Sequence, residues 1–362
     1  MTVNGAPRVL LVMAEASGGI AGHVVDLAHR LTACAVPVAV ATTPSSAARL
    51  RFDGKVFPVL RSGRSMPSSV RALRRLVGDF DVVHAHGHQA GVQAVLATAG
   101  LRSAPPVIIT WHNALLAGGA AGVAGAAAER LQVARARLVT GASADLVQRA
   151  RELRAKNATL TPVAADLTPW SGDPAAAKAE LAAAHRLPAD RPWVLTVSRI
   201  APQKDLPTLL DASAKVEGAA FVVVGDGDPE LTEQLRARIE AEHLPVHLVG
   251  ASAQVPQFIA ASRLLAMPSR WEARSLVVQE ALAGGLPCVV TDTGGLPELV
   301  GDAGLLVPVG DADALAAGIR RLLDDPDLVT HLSEAGRRRA AQLPDGDQVA
   351  DDWVQRYRAV CG

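Results

Sequence analysis

Thirteen short, continuous apolar runs, most of them separated by helical stretches, constrain what this chain can become. Seven fall at residues 9–13, 38–41, 56–59, 82–85, 107–110, 138–141 and 159–162, and six at 194–198, 221–225, 247–249, 264–267, 288–291 and 305–307. Runs this short, without polar alternation, suit strands buried on both faces, and helices of 10–15 residues supply the crossovers that parallel pairing requires. Two such series predict an α/β chain with two Rossmann-like, doubly wound parallel-sheet domains. A length of 362 residues also exceeds what one hydrophobic core organises comfortably. The expected division is a first domain over 1–168, a linker over 169–190 and a second domain over 191–343. The linker is rich in Ala, Asp and Pro and holds a helix near 175–185. A closing segment, 344–362, follows Leu343-Pro344-Asp345-Gly346 and carries a helix with Trp353 and Tyr357, expected to cross back to the first domain.

Composition removes several function classes. Cys34, Cys288 and Cys361 are far apart, which argues against a disulfide framework or a zinc knuckle and suits a reducing compartment. The apolar run behind Arg8 is short and reads as a first strand rather than a signal peptide. Residues 113–128 are uncharged but Ala/Gly-rich, too weakly hydrophobic for a membrane span. The expected location is therefore cytoplasmic. An aromatic content of 3% and a pI near 7.2 give no support to a nucleic-acid role.

Net charge is zero but uneven: residues 1–172 hold 18 Lys and Arg against 9 Asp and Glu, and residues 173–362 hold 18 against 27. One reading is two domains that attract one another. The other is a first domain that meets an anionic acceptor or the inner face of a membrane, weakly and peripherally. Its local cluster is Arg61, Arg64, Arg71, Arg74 and Arg75, the last three on an amphipathic helix whose other face is Val70, Leu73, Leu76 and Val77. A solvated helix face fits the same pattern.

Four polar loops fall at predicted strand ends, where open α/β sheets bind ligands. Ala16-Ser17-Gly18-Gly19-Ile20-Ala21-Gly22-His23 follows the first strand, and its glycines permit close approach of a phosphate to a helix N-terminus. It is not the dinucleotide Gly-x-Gly-x-x-Gly pattern, and no acid closes the second strand, which counts against an NAD-dependent dehydrogenase. In Ser198-Arg199-Ile200-Ala201-Pro202-Gln203-Lys204-Asp205, two cations five residues apart either grip a diphosphate or decorate a loop surface. Gly225-Asp226-Gly227-Asp228-Pro229 reads equally as a ligand platform and as a plain turn. Thr291-Asp292-Thr293-Gly294-Gly295-Leu296-Pro297-Glu298 is the fourth.

The segment Pro268-Ser269-Arg270-Trp271-Glu272-Ala273-Arg274-Ser275-Leu276-Val277-Val278-Gln279-Glu280 places one acid in a strand-end loop and a second on the helix that follows. Carboxylates in that arrangement accept paired hydrogen bonds from vicinal hydroxyls, although a loop acid and a solvated helix acid share the spacing. His84, His86 and His88 alternate as a zinc-binding run would, but no carboxylate or cysteine neighbour completes a set, so no metal is expected. His112 ends a strand and either points into a crevice or caps it. No nucleophile elbow, Walker loop or kinase motif is present.

Taken together, these stretches resemble the family 4 (group 1) retaining glycosyltransferases of the GT-B fold over nearly the whole chain. The most specific match is Glu272 through Glu280-Ala281-Leu282-Ala283-Gly284-Gly285-Leu286-Pro287, which resembles the family's Glu-x7-Glu segment. Gly18-Gly19, Asp81-Val82-Val83-His84-Ala85-His86 and Thr110-Trp111-His112 are similar to its first domain. The resemblance implies two domains facing a central cleft and transfer of a hexose from a UDP- or GDP-linked sugar to a hydroxyl acceptor. It implies retention of anomeric configuration with neither metal nor cofactor, in cell envelope or glycoconjugate biosynthesis. Front-face displacement through an oxocarbenium-like state is the expected course, with no enzyme nucleophile.

On that resemblance Arg199 and Lys204 hold the diphosphate, Glu280 the ribose and Glu272 the transferred sugar, beside Gly225, Ser275 and Leu276. Gly18 and Gly19 approach the phosphate, and His112 contacts the sugar near the reacting centre. His23, Arg71, Arg74 and Arg75 face the acceptor or a membrane. Three departures stand out. Glu272-Ala273-Arg274-Ser275 replaces Glu-Gly-Phe-Gly, Lys204-Asp205 replaces Lys-Gly, and Val163-Ala164-Ala165-Asp166 replaces Asn-Gly-Val-Asp. They keep open a degenerate relative that binds a nucleotide sugar or a partner without turnover. A GT-B enzyme of another type, such as a sugar-nucleotide epimerase, is the third reading.

Overall fold

The structure is a computed structural model and describes residues 5–15, 19–61, 65–116, 118–161, 163–164 and 167–362. Gly18 and Arg64, and Ala165-Asp166 of the junction loop, lie outside the described residues. The chain divides into two compact units, Met1–Ala164 with Pro344–Gly362, and Ala165–Leu343.

In the first unit the strands are β1 (Val9–Met13), β2 (Val38–Ala41), β3 (Lys55–Phe57), β4 (Val82–His86), β5 (Val107–Trp111), β6 (Leu138–Gly141) and β7 (Ala158–Leu160). They form one sheet in the order β3-β2-β1-β4-β5-β6-β7, parallel throughout. β1, β4 and β5 are buried at every residue, which is why they read as unbroken apolar runs. β3 stops at Phe57 rather than continuing to 59 because Pro58 has no N–H to give the ladder.

The second unit holds β8 (Trp193–Val197), β9 (Ala220–Val224), β10 (Val246–Gly250), β11 (Leu264–Met267), β12 (Cys288–Thr291) and β13 (Gly304–Val307). Their order is β10-β9-β8-β11-β12-β13, again all parallel. Both sheets therefore reverse their winding between the first strand and the fourth, at β1/β4 and at β8/β11. Such switch points open a crevice beyond the strands' carboxyl ends, because the crossovers on either side leave to opposite faces.

Helix Pro174–His185, begun by Asp173 accepting from the amide of Ala175, sits in the second unit: Leu181 and Ala182 join a core with Trp193 and Phe258. The final helix, Gly346–Cys361, starts with a capping box between Asp345 and Gln348. It belongs to the first unit, where Val349, Ala350, Trp353, Val354 and Tyr357 pack with Val9, Leu11, Val24, Leu27 and Leu31. Arg30 fastens it further by bonding Asp26 on its own helix and Asp347, 2.6 Å away.

Candidate functional site

In the second unit four strand-end loops are laced together around the switch point. After β8 the chain makes a short 3-10 turn, Pro202–Lys204, ending at Asp205 in a left-handed conformation with φ 49°. After β11 it passes Ser269 to Ser275 and enters the helix Leu276–Gly284. The amide of Arg270 donates to Gln203 O at 2.8 Å, and Gln203 Nε2 donates to Trp271 O at 2.7 Å. From the β12 loop, Thr291 Oγ1 donates to Ser269 O at 2.6 Å and the amide of Gly295 to Glu272 O at 2.8 Å. Gly294, with φ 55°, is the one residue type that fits there, since a Cβ would lie 2.0 Å from Glu272 O.

This lacing brings two of the predicted site residues into contact: Lys204 Nζ donates to Glu272 Oε1, which also accepts from Ser269 Oγ at 2.8 Å. Both side chains are largely buried, at 15% and 10% exposure. Arg199 lies exposed in the same β8 loop. Ser275 is the buried residue preceding the helix, Leu276 is its first residue, and Glu280 lies half-buried farther along. The free N–H groups of that helix start are therefore on the loop that carries Glu272.

Gly225 has another use than a ligand platform. A Cβ there would sit 1.9 Å from Ser198 O, and one on Gly227 would sit 2.1 Å from Ile200 O. The glycines let the β9 turn dock on the β8 loop, through Ile200 N to Asp226 O and Asp228 N to Ile200 O, both 2.8 Å. Asp205 likewise does not intrude on the proposed diphosphate loop: its buried carboxylate turns to Arg270, 3.4 Å away. Arg274 is the unbalanced group. Its Nε is buried without a hydrogen-bond partner, and burial lowers its pKa, with Glu298 opposing and Arg339 assisting that shift.

In the first unit the alternating histidines do not converge as a zinc run. His84 is locked by Tyr357 and Thr110, each 2.7 Å from a ring nitrogen, and Thr110 bonds Thr140 in turn. His88 bonds Asn113 O at 2.8 Å from the start of the helix His88–Thr98. His86 instead meets His112, Nδ1 to Nε2 at 3.0 Å, and both rings face His23 from the helix Gly19–Ala33. His112 thus bonds a neighbouring imidazole, and the next helix among the described residues begins at Gly119. All three lie at the β1/β4 switch point and its neighbour β5. Burial pushes His23 down to about 4, and burial together with neighbouring histidines holds His84, His86 and His112 well below the usual range. Gly19 opens the first helix, next to Gly18 outside the described residues.

The basic helix is Met66–Leu76, with Leu73 buried and Arg71 and Arg75 exposed. Arg74 is partly committed to structure, because its Nη1 bonds Ala97 O and Ala99 O at 3.1 and 2.6 Å and so caps the helix His88–Thr98. Val77 begins a separate 3-10 turn.

The sequence match agrees with this architecture. Residues 18–165 match the glycosyl transferase 4-like domain, and residues 177–339 match the glycosyl transferases group 1. The second unit thus resembles the group 1 glycosyl transferases and the first their 4-like domain. Among curated relatives of this family, the chain is similar to an alpha-D-kanosaminyltransferase of Streptomyces kanamyceticus, 32% identical over 194 residues, 49% of each chain. It is 35% identical over 193 residues, again 49% of each, to a Mycobacterium tuberculosis GDP-mannose-dependent alpha-(1-6)-phosphatidylinositol monomannoside mannosyltransferase. The matched stretch of the chain thus spans about half the length of these relatives. The fold is that of Anabaena HepE in complex with UDP-glucose, with a TM-score of 0.87 at 21% identity over 98% of this chain and 100% of that one. The chain therefore has the GT-B architecture, with its two parallel-sheet units.

Proposed function

We propose that this chain is a retaining glycosyltransferase that moves a hexose from a UDP- or GDP-linked sugar to a hydroxyl acceptor, without a metal or cofactor. The observation that carries the reading is the Lys204–Glu272 ion pair at the β8/β11 switch point. A diphosphate arriving there takes Lys204 and leaves Glu272 free to accept sugar hydroxyls, so one buried pair serves both halves of the donor. Arg199 gives a second cation and the N-terminus of Leu276–Gly284 a further anion-binding end. Together they offset charge as the nucleotide leaves. Glu280 is assigned to the ribose and His112 to the reacting end of the sugar. The kinship with enzymes named for GDP-mannose, and with a fold seen with UDP-glucose, supports the donor class.

Turnover of UDP- and GDP-sugars in the presence of EDTA, with a panel of hydroxyl acceptors and analysis of the anomeric product, tests this. Donor binding without hydrolysis or transfer in any pairing points to the second reading, a binding protein that has lost turnover. Arg274, a half-buried cation two residues from Glu272 in the chain whose Nε has no hydrogen-bond partner, is the observation that favours it.

The acceptor surface is assigned to the first unit, near His23 and the exposed Arg71 and Arg75. The helix Met66–Leu76 touches His88–Thr98, which touches Gly119–Arg135. On or near these helices Leu96, Leu115, Leu116 and Val123 have exposed side chains, the apolar groups that an anionic bilayer surface takes together with cations. No helix among the described residues is long and apolar enough to cross a membrane.

A further inference from the structure

We propose that His23, His86 and His112 form a binding site for a borderline transition-metal dication, zinc by ligand type, and that occupancy takes His112 out of use. The second half rests on the role assigned to His112 above; the first half does not. Each residue offers one ring nitrogen, and the three nitrogens lie within 4.8 Å of one another. The ring centroids form a nearly regular triangle, 5.7, 5.5 and 5.3 Å on its sides. Three imidazoles directed at one ion at about 2.0–2.1 Å make such a triangle, and an inward tilt of the rings closes the remaining distance.

A second observation is independent of the spacing. His86 Nε2 is buried and has no hydrogen-bond partner, a cost that the protein's own groups do not relieve. His84 has a partner at both nitrogens; His88 Nδ1 is unpartnered too, but its ring lies against Trp111 rather than in the trio. Of the three, His86 is the one whose hydrogen bond goes to another imidazole, that of His112.

The chemistry fits the same ion. All three rings are neutral at pH 7, so each carries one nitrogen lone pair, and the proton shared by His86 Nδ1 and His112 Nε2 shifts to the other nitrogen of its ring when both rings bind. Three neutral nitrogens without thiolate or carboxylate select zinc, copper or nickel over magnesium or calcium. They also leave a fourth position for water or an anion. His23 comes from a helix, His86 from the end of β4 and His112 from beyond β5, so the site exists only in the folded first unit. Binding replaces the hydrogen bond between His86 Nδ1 and His112 Nε2 and fixes His112 on the ion. A group needed against the sugar is thereby removed. Transfer runs in EDTA and stops with zinc.

Protein stripped with EDTA and desalted is titrated with Zn2+ and, separately, with Co2+ followed by its visible absorption. One ion per chain is expected, with a rise in the unfolding temperature and the absorption of low-coordinate cobalt. His23→Ala and His86→Ala, each checked for folding by circular dichroism, weaken binding by more than about tenfold. His88→Ala, a buried histidine outside the trio, leaves it unchanged. Failure to bind one ion overturns the site, as does full affinity in both trio variants or an equal loss in His88→Ala. With the site established, zinc inhibits transfer at the concentration that fills it, and undiminished transfer at saturation overturns the inhibitory half. Stoichiometric binding in a protein that transfers no sugar leaves the site standing and sinks the assignment of function.

Discussion

Lys204, closing the turn after β8, and Glu272, in the loop after β11, neutralise one another at the point where the second sheet reverses its winding. They are 68 residues apart in the chain. Neither charge is well solvated, so each depends on the other until a ligand separates them.

Removing one partner strands the other. Lys204→Met is expected to lower stability by about 3–5 kcal/mol, the cost of a buried charge left alone. Lys204→Met with Glu272→Gln is expected to recover much of that loss while both variants fail to bind donor. Thermal unfolding and calorimetric titration with UDP and GDP measure the two effects. Donor affinity retained in Lys204→Met would remove the diphosphate assignment.

Gly225 and Gly218 provide a matched comparison. Both have positive φ, at 141° and 75°, but only Gly225 has backbone where a Cβ would go. Gly218→Ala is expected to cost about 1 kcal/mol from backbone strain alone. Gly225→Ala should cost clearly more and loosen the β8 loop, weakening nucleotide binding. Equal denaturation midpoints for the two would contradict the loop docking described above.

Tyr357 and the buried histidines set an acid limit on the first unit. Each histidine is neutral when folded and titrates near 6.5 when unfolded, so its folded pKa is the lower one. Stability is full above about 6.5 and declines as pH falls, by up to about 1.4 kcal/mol per pH unit for each histidine. For His23 the decline ends near 4. Tyr357→Phe leaves one nitrogen of His84 without its partner and costs about 1–3 kcal/mol at neutral pH. Unfolding midpoints between pH 7.5 and 4.5 check both; a flat profile would contradict the burial of neutral imidazoles.

Arg274 should behave oppositely to Lys204. Its guanidinium is desolvated without a hydrogen-bonded acceptor at Nε, so Arg274→Leu is expected to leave stability within about 0.5 kcal/mol of the parent or to raise it. If Arg274 serves the sugar, the same variant loses affinity for the nucleotide sugar but keeps its affinity for the free diphosphate. Identical affinities for both ligands in parent and variant would make Arg274 irrelevant to the donor.

Much of this architecture was legible because strands buried on both faces have to be continuously apolar. Every predicted strand run corresponds to a strand, with shifts of a residue or two at ends such as Pro58, where a missing N–H sets the limit. The Gly225 turn was legible as a turn but not as a docking surface, since Ser198 O, which fills its empty Cβ position, comes from another loop. The alternating His84, His86 and His88 did not show that His86 meets His23 and His112, which come from other elements. Strand periodicity places His84 and His86 on one side, but what each ring meets is set by Tyr357 and by His23 and His112.

By itself the sequence determined the two series of βαβ units, the polar loops at strand ends and the kinship with group 1 glycosyl transferases. All of these depend on local periodicity and short motifs. Only the tertiary structure decided that Lys204 neutralises Glu272, that Asp205 answers Arg270, and that His86 joins His23 and His112. Those pairings arise because parallel winding brings the ends of distant strands to one edge of a sheet, and burial there leaves each polar group dependent on whichever partner the winding delivers.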